Sequence, residues 1–342
     1  MEHFPDMSHW HRLAFMEYTY LGRTGLKVSR LCLGTMNFGR VTSEREAFAI
    51  MDRALEEGIT YFDTANVYGG PDQRGLTEEI VGHWFALGQG RRESVVLATK
   101  VYNPMDEAVD GPNDSQGLSA YKIRRSLHRS LKRLQTDHIE IYQMHHVDPH
   151  VSWDELWGVF QPIVESGVVD YIGSSNFGAR HLCYAQAAAE KRNFLGLVSE
   201  QHKFSLMCRT PELELLPAAE DLGIGVICWS PLFGGMLSGH TALPQPGSRT
   251  AEAVSHLTES QHSQLEAYAG LCDQIGVSQP LVALAWILTH KPVVAPIIGP
   301  RTMEHLTSAL DVFDVHLTQD VLDKLDEIFP GPGGPAPAAY AW

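Results

Sequence analysis

Asp63, Tyr68, Lys100 and His145 are the residues of this chain whose types suit one another for proton transfer. Asp63 and Tyr68 stand in Tyr61-Phe-Asp63-Thr-Ala-Asn-Val-Tyr68-Gly, Lys100 follows Ser94-Val-Val-Leu-Ala-Thr, and His145 follows Ile139-Glu-Ile-Tyr-Gln-Met. A free phenol titrates at about 10 and is a weak acid at neutral pH, but a neighbouring ammonium stabilises phenolate and lowers that value. Lys100 supplies the ammonium, Asp63 holds it protonated and oriented, and His145 hydrogen-bonds an incoming oxygen and fixes its angle. The group suits delivery of a proton to a carbonyl oxygen. Taken singly, each residue has a plainer role: a turn cap, a packed loop aromatic, a solvated strand end, a satisfied polar group. Their placement at the ends of neighbouring strands is what favours chemistry. No metal is expected: successive strand side chains point to opposite faces, which separates His145 from His146, and neither H-E-x-x-H nor a cysteine cluster is present.

Placing those residues together requires a particular arrangement of strands. Apolar runs at Leu31–Thr35, Ile59–Phe62, Val95–Thr99, Ile139–Gln143, Val169–Gly173, Leu197–Glu200, Gly225–Trp229 and Val293–Ile297 read as strands. Stretches with apolar spacing near 3.6 fall between them at 43–57, 76–87, 119–134, 153–166, 179–192, 211–222 and 279–289. Ser43-Glu-Arg-Glu46 opens the first helix as a capping box and Gly58 closes it. Alternation of this kind, repeated over eight strand candidates, predicts an α/β (β/α)8 TIM barrel, in which function collects at the C-terminal ends of the strands. Two short segments around Gly22–Gly25 add an N-terminal β-hairpin, and a long loop at 233–258 follows the seventh strand. An open dinucleotide-binding sheet is disfavoured, because Gly34-Thr-Met-Asn-Phe-Gly39 has the wrong glycine spacing.

Composition narrows the class further. The chain has 342 residues, 44% hydrophobic and 20% charged, which supports one large core. Residues 1–15 read as an extension, 16–329 as a single barrel domain and 330–342 as a tail too rich in Pro and Gly for regular structure. A net charge of −15 opposes nucleic-acid binding. No apolar run reaches membrane-spanning length, the first residues lack the apolar middle of a signal peptide, and the five scattered cysteines suit a reducing compartment, so a cytoplasmic protein is expected.

With these motifs in view, the sequence resembles the aldo-keto reductase family from about Met16 to about Leu325. The resemblance is carried by Leu33-Gly-Thr-Met-Asn-Phe-Gly39, Phe62-Asp-Thr-Ala-Asn-Val-Tyr-Gly69, Ala98-Thr-Lys100, Tyr142-Gln-Met-His145, Gly173-Ser-Ser-Asn-Phe177, Glu200-Gln201, Trp229-Ser-Pro-Leu232 and Ile298-Gly-Pro-Arg-Thr302. It implies that Asp63, Tyr68, Lys100 and His145 act as a tetrad and that NADPH lies across the same barrel face. It further implies that Ser175, Asn176 and Gln201 hold the carboxamide, that Trp229 stacks on the nicotinamide, and that Thr35 and Met36 approach from the first strand. Ser230, Pro231, Leu232, Gly234 and Leu237 would follow the pyrophosphate and ribose. Gly299, Arg301 and His305 belong to the adenosine end, with Arg301 on the 2′-phosphate and Arg249 as a second phosphate contact. His240 and His305 stand where relatives often carry Lys and Gln, and Ala309 where they often carry Asn.

The implied reaction is NADPH-dependent reduction of a ketone or aldehyde carbonyl, with Tyr68 as proton donor. The partner is a small-molecule carbonyl substrate, and relatives in this branch often associate as homo-oligomers. The signatures look closest to the branch of potassium-channel β subunits and of natural-product ketoreductases acting on nucleotide-linked deoxysugars or polyketide ketones. The competing class is a nucleotide-sensing binding protein whose turnover is incidental. Specificity is expected on loops 36–42, 101–118, 146–152 and 233–258 and on the tail, with Tyr102, His146 and Trp342 as candidate pocket residues.

Overall fold

The computed structural model of the chain describes residues 16–106, 108–239 and 257–340. A two-stranded hairpin, β1 (Tyr18–Tyr20) and β2 (Lys27–Ser29), precedes eight parallel strands that close into a barrel. These are β3 (Cys32–Gly34), β4 (Tyr61–Asp63), β5 (Val96–Val101), β6 (Ile139–Met144), β7 (Val169–Ser175), β8 (Leu197–Lys203), β9 (Gly225–Trp229) and β10 (Val293–Ile298). Closure is completed by β10 pairing with β3. The fold is therefore the expected (β/α)8 barrel with its N-terminal hairpin.

Helices α1 (Glu44–Glu56), α2 (Leu76–Ala86), α3 (Ala120–Leu134), α4 (Trp153–Glu165) and α5 (Ala179–Glu190) match the periodic stretches closely. The Ser43–Glu46 capping box forms, and Gly58 takes a left-handed φ of 84° just past the end of α1. The stretch at 211–222 is interrupted: a 3₁₀ turn at Thr210–Glu212 precedes a short α6 (Leu215–Asp221). Pro217 explains the break, since its ring clashes with the carbonyl four residues earlier in a continuous helix but fits a first turn. Helices α7 (Glu259–Ile275), α8 (Gln279–Leu288), α9 (Met303–Leu310) and α10 (Gln319–Ile328) complete the described residues. Of these only α8 was expected. The others show water a broad polar surface: α7 buries just Leu265, Tyr268, Leu271 and Cys272, and α10 only Leu325. Among the described residues no single helix is long and apolar enough to cross a membrane. The tail, expected to lack regular structure, follows the surface near α6, where Ala336 N donates to Leu213 O at 2.9 Å, and it ends in a 3₁₀ turn at Ala338–Tyr340.

Strand alternation divides the buried residues into two cores. Outward residues such as Leu33, Phe62 and Leu97 pack against the helices, where Trp84, Trp157 and Trp286 are wholly buried. Inward residues Cys32, Tyr61, Ala98, Ile141, Val198, Ile227, Val294 and Ala295 fill the barrel, and the hairpin adds Leu21 and Val28 from below. Register shifts give β8 and β10 one extra residue each, and those residues, Val198 and Val294, join the inner core. The hairpin is thus a plug for the N-terminal mouth. Gly22, with a φ of 54°, sits so close that a Cβ would lie 2.6 Å from both Gly223 O and Val198 O. Ser29 Oγ, fully buried, accepts from Thr60 N at 3.1 Å and Tyr61 N at 3.2 Å and donates to Leu31 O at 2.7 Å.

Replacing Ser29 with Ala strands two backbone donors at the base of β4. We expect a stability loss on the order of 1–3 kcal/mol in urea unfolding, with no change in secondary structure. An unchanged unfolding midpoint would show that the hydroxyl does not seal the plug.

Candidate active site

Asp63 closes the short strand β4. Its neighbour Phe62 faces outward and stacks on Trp84 at 5.7 Å, which turns Asp63 inward, where it is nearly inaccessible. On β5, Thr99 faces outward and bonds the buried Glu78 at 2.6 Å, so Lys100 also points inward and has no exposed surface. The Lys100 ammonium donates to Asp63 Oδ2 at 2.6 Å, Thr64 O at 2.9 Å and Tyr68 Oη at 3.2 Å. These three partners use all of its protons. Asp63 Oδ1 accepts from Gln201 Nε2 at 2.7 Å and Gln143 Nε2 at 3.0 Å.

Tyr68 is carried by the turn after β4. Thr64 N donates to Ala98 O at 2.8 Å and Asn66 N to Lys100 O at 3.3 Å, so the turn is fastened to β5. Gly69 lets the chain reverse immediately afterwards: its φ is 131°, and a Cβ would lie 2.1 Å from Gln73 O. His145 lies one residue past β6, its N–H donating to Val101 O at 3.0 Å and its ring edge-on to Tyr68 with centroids 6.0 Å apart. The imidazole Nδ1 accepts from Asn103 Nδ2 at 3.4 Å; an amide nitrogen only donates, so the ring proton of neutral His145 sits on Nε2.

Three protonation states follow from these surroundings. Burial disfavours the Lys100 cation, but Asp63 and Tyr68 outweigh it and raise its pKa above the ordinary lysine value. For His145, burial, the Lys100 charge and His146 all act in one direction and hold the ring well below the usual histidine range, hence neutral. Tyr68 departs from the sequence expectation. Burial raises its pKa by more than Lys100 lowers it, so the phenol holds its proton more tightly than a free tyrosine does. The expected separation of His145 from His146 also fails: their rings stack at 5.2 Å with 9° between planes, because β6 ends at Met144 and strand alternation stops there. Among the described residues no group of three or more His, Cys, Asp or Glu side chains is placed to hold a metal.

The expected cofactor residues fall mostly on this same face. Ser175 Oγ donates to Gln201 O at 2.9 Å. Asn176, left-handed at a φ of 63°, donates to His145 O at 3.1 Å and accepts from Trp229 Nε1 at 3.1 Å. Since Gln201 gives its Nε2 to Asp63, its Oε1 is the atom left for a ligand. Trp229, Ser230 and Leu232 are half-buried and Gly234 is exposed, whereas Pro231 is buried. Ser230, Phe233, Gly234 and Gly235 all have positive φ, and a Cβ on Gly234 would meet nothing within 4 Å. Met36 and Gly299 are exposed and Arg301 is half-buried, with no ion-pair partner among the described residues. His305 is exposed in the first turn of α9. Leu237 is wholly buried, with its N–H given to Leu232 O at 3.2 Å. Thr35 is also wholly buried, and its hydroxyl ties β3 to Asp63 O at 2.9 Å. His240, Arg249 and Trp342 lie outside the described residues.

Three polar residues at this face were not anticipated. Gln143 was legible, since it shares the inward side of β6 with Ile139 and Ile141 and is the polar exception there. Lys203, at the end of β8, places its ammonium 4.2 Å from the Phe233 ring centroid and 5.7 Å from that of Trp229. Asn103 belongs to an irregular loop whose sequence gives no sign of a contact with His145.

Comparison with known proteins agrees with this fold. Residues 30–329 match the model of the aldo/keto reductase family. The chain is 59% identical to YrpG, an uncharacterized oxidoreductase of Bacillus subtilis, over 96% of this chain and 100% of that protein. It is 31% identical to versiconal hemiacetal acetate reductase of Aspergillus parasiticus, over 91% and 96% of the two chains. It is 30% identical to a probable voltage-gated potassium channel subunit beta of Arabidopsis thaliana, over 92% and 96%. A closed eight-stranded barrel, a match spanning nearly all of it and oxidoreductase relatives matched over nearly their whole length together establish that this chain belongs to the aldo/keto reductase family of oxidoreductases.

Proposed function

We propose that the protein reduces a ketone or aldehyde to an alcohol with NADPH, Tyr68 donating the proton. The observation that carries this reading is the buried chain of contacts from Asp63 through Lys100 to the Tyr68 hydroxyl. When bound, the reduced nicotinamide supplies a hydride to the carbonyl carbon. His145 Nε2–H polarises the carbonyl oxygen, and Tyr68 Oη gives that oxygen its proton as negative charge develops there. Lys100, 3.2 Å from the phenol oxygen, stabilises the tyrosinate left behind. Asp63 keeps Lys100 charged throughout the cycle.

The chain's own residues suit a dinucleotide phosphate. Positive φ at Ser230, Phe233, Gly234 and Gly235 leaves open space over Gly234, Trp229 offers a half-exposed ring beside Asn176, and the Arg301 guanidinium, without an ion-pair partner among the described residues, suits a 2′-phosphate. Among substrates we favour ketones of natural-product pathways, nucleotide-linked deoxysugars or polyketides. Similarity to a reductase named for a hemiacetal, which is a masked aldehyde, supports a functionalised carbonyl substrate. The five free cysteines support a reducing cytoplasm, and association into homo-oligomers remains part of the reading. Similarity to a channel β subunit supports a second reading, a nucleotide-binding protein with incidental turnover. Sustained turnover of roughly 1–10³ per second with a carbonyl substrate separates the two in favour of the enzyme.

Tyr68→Phe removes the proton donor and should lower kcat by roughly 10²–10⁴-fold while NADPH affinity, read by fluorescence titration, stays nearly unchanged. Retention of most activity would assign the proton to another group. The reductive kcat/KM should be flat through neutral pH. It should fall in alkali only as Tyr68 loses its proton above the ordinary value of 10.0, and in acid only well below 6.5, where His145 begins to charge. A limb near neutrality in the pH profile would contradict these assignments. Arg301→Ala should raise KM for NADPH by about 10–100-fold and leave KM for NADH nearly unaltered; equal losses with both cofactors would remove Arg301 from the 2′-phosphate.

A further inference from the structure

We propose that Gln143 is a positioning residue that acts on the proton donor through Asp63, an inference that rests on the reading of this site as carbonyl-reducing. Gln143 is wholly buried on the inward face of β6, paired in register with Lys100 on one side and Gly173 on the other. Its Nε2 donates to Asp63 Oδ1 at 3.0 Å, opposite the oxygen that receives Lys100 at 2.6 Å. An ionised carboxylate only accepts, so the amide must turn its nitrogen toward Asp63. That orientation leaves Gln143 Oε1 without a hydrogen-bond partner among the described residues. Its neighbour across the register offers nothing in return, because Gly173 has no side chain and a Cβ there would lie 2.5 Å from Ser199 Oγ and 3.1 Å from Gln143 Cγ. Ser199 Oγ is also unpartnered among the described residues.

Packing does not account for this amide. The adjacent inward positions Ile141 and Ala98 are filled by apolar side chains, and an apolar residue at 143 would strand no acceptor. The carboxylate does account for it. Gln201 also donates to Asp63 and keeps a trace of exposed surface, whereas Gln143 has none and its Oε1 has no hydrogen-bond partner among the described residues. Gln143 therefore serves Asp63 alone. Shared among Lys100, Gln201 and Gln143, the charge on Asp63 leaves the ammonium free to hold the Tyr68 oxygen, at 3.2 Å the longest of its three contacts. Without the Gln143 donor, Asp63 draws Lys100 more strongly to itself and the tyrosinate loses stabilisation.

The test uses the full-length chain with NADPH and 4-nitrobenzaldehyde as probe carbonyl, comparing Q143L, the unbranched Q143M and Q143E across pH. Q143L and Q143M should lower kcat by about 10–100-fold at every pH, with NADPH affinity and thermal midpoint little changed. In Q143E the introduced carboxyl group donates to Asp63 only when protonated, and burial beside Asp63 raises its pKa. Its kcat should therefore rise as pH falls through a new ionisation absent from the parent, approaching parental activity below it while the apolar variants stay low. Near-parental kcat in Q143L or Q143M, or a Q143E profile parallel to that of the parent, would overturn the inference and leave the reading of the site intact. Failure of the unaltered protein to oxidise NADPH with a panel of aldehydes and ketones would remove the reading, and this inference with it.

Discussion

The buried pair of Lys100 and Asp63 is the constraint around which the rest of this barrel is arranged. Removing an ammonium and a carboxylate from water costs several kcal/mol per ion even after relaxation, and their mutual attraction recovers this only when every remaining proton and lone pair is answered. Here Lys100 has three acceptors and Asp63 three donors, drawn from β4, β5, β6, β8 and the turn after β4. No two adjacent strands could supply that set. A closed barrel can, because its inward side chains converge from all directions on one axis.

The same alternation that turns these groups inward places apolar residues directly beneath them. Tyr61 and Asp63, Ala98 and Lys100, Ile141 and Gln143 are successive inward positions on three neighbouring strands, so the polar layer rests on an apolar one that the hairpin plugs from below. Leu21, Val28 and Val198 belong to the apolar layer on the underside of the ion pair. A buried pair of this kind is weak evidence for stability, since well-packed apolar residues often serve as well or better. Its presence directly above an apolar layer is an argument for function that does not depend on any relative.

Much of this was legible in the residue pattern. Eight apolar runs at helical intervals specify the barrel, and Asp63, Lys100 and His145 stand where those runs end. Strand periodicity carries the inward assignment as far as Gln143. It fails at His145 and His146, since alternation holds only while the chain is extended, and past Met144 the two rings stack. It also fails for α7 and α10, whose buried stripes are too narrow to stand out against their polar faces. Asn103 and Lys203 were hidden for a different reason. Each is defined by a partner far away in sequence, and neither the irregular loop of Asn103 nor that of Phe233, which Lys203 meets from the end of β8, carries a period from which such a meeting can be inferred.

Electrostatics separate what a sequence can name from what a structure can weigh. Residue types alone suggest that Lys100 makes Tyr68 a stronger acid, yet burial acts on the same phenol in the opposite direction and prevails. The consequence is a phenol that keeps its proton across the physiological range. A charged His145 would add a second cation and weaken that arrangement, and burial together with Lys100 and His146 keeps it neutral. At rest the four groups therefore sum to no net charge, one cation balanced by one anion beside two neutral donors. In the proposed reaction, proton transfer leaves a tyrosinate in place of the phenol, next to the Lys100 ammonium. On that proposal, the direction of proton flow is set less by the intrinsic acidity of Tyr68 than by the fact that Lys100 is the only cation in contact with its oxygen among the described residues.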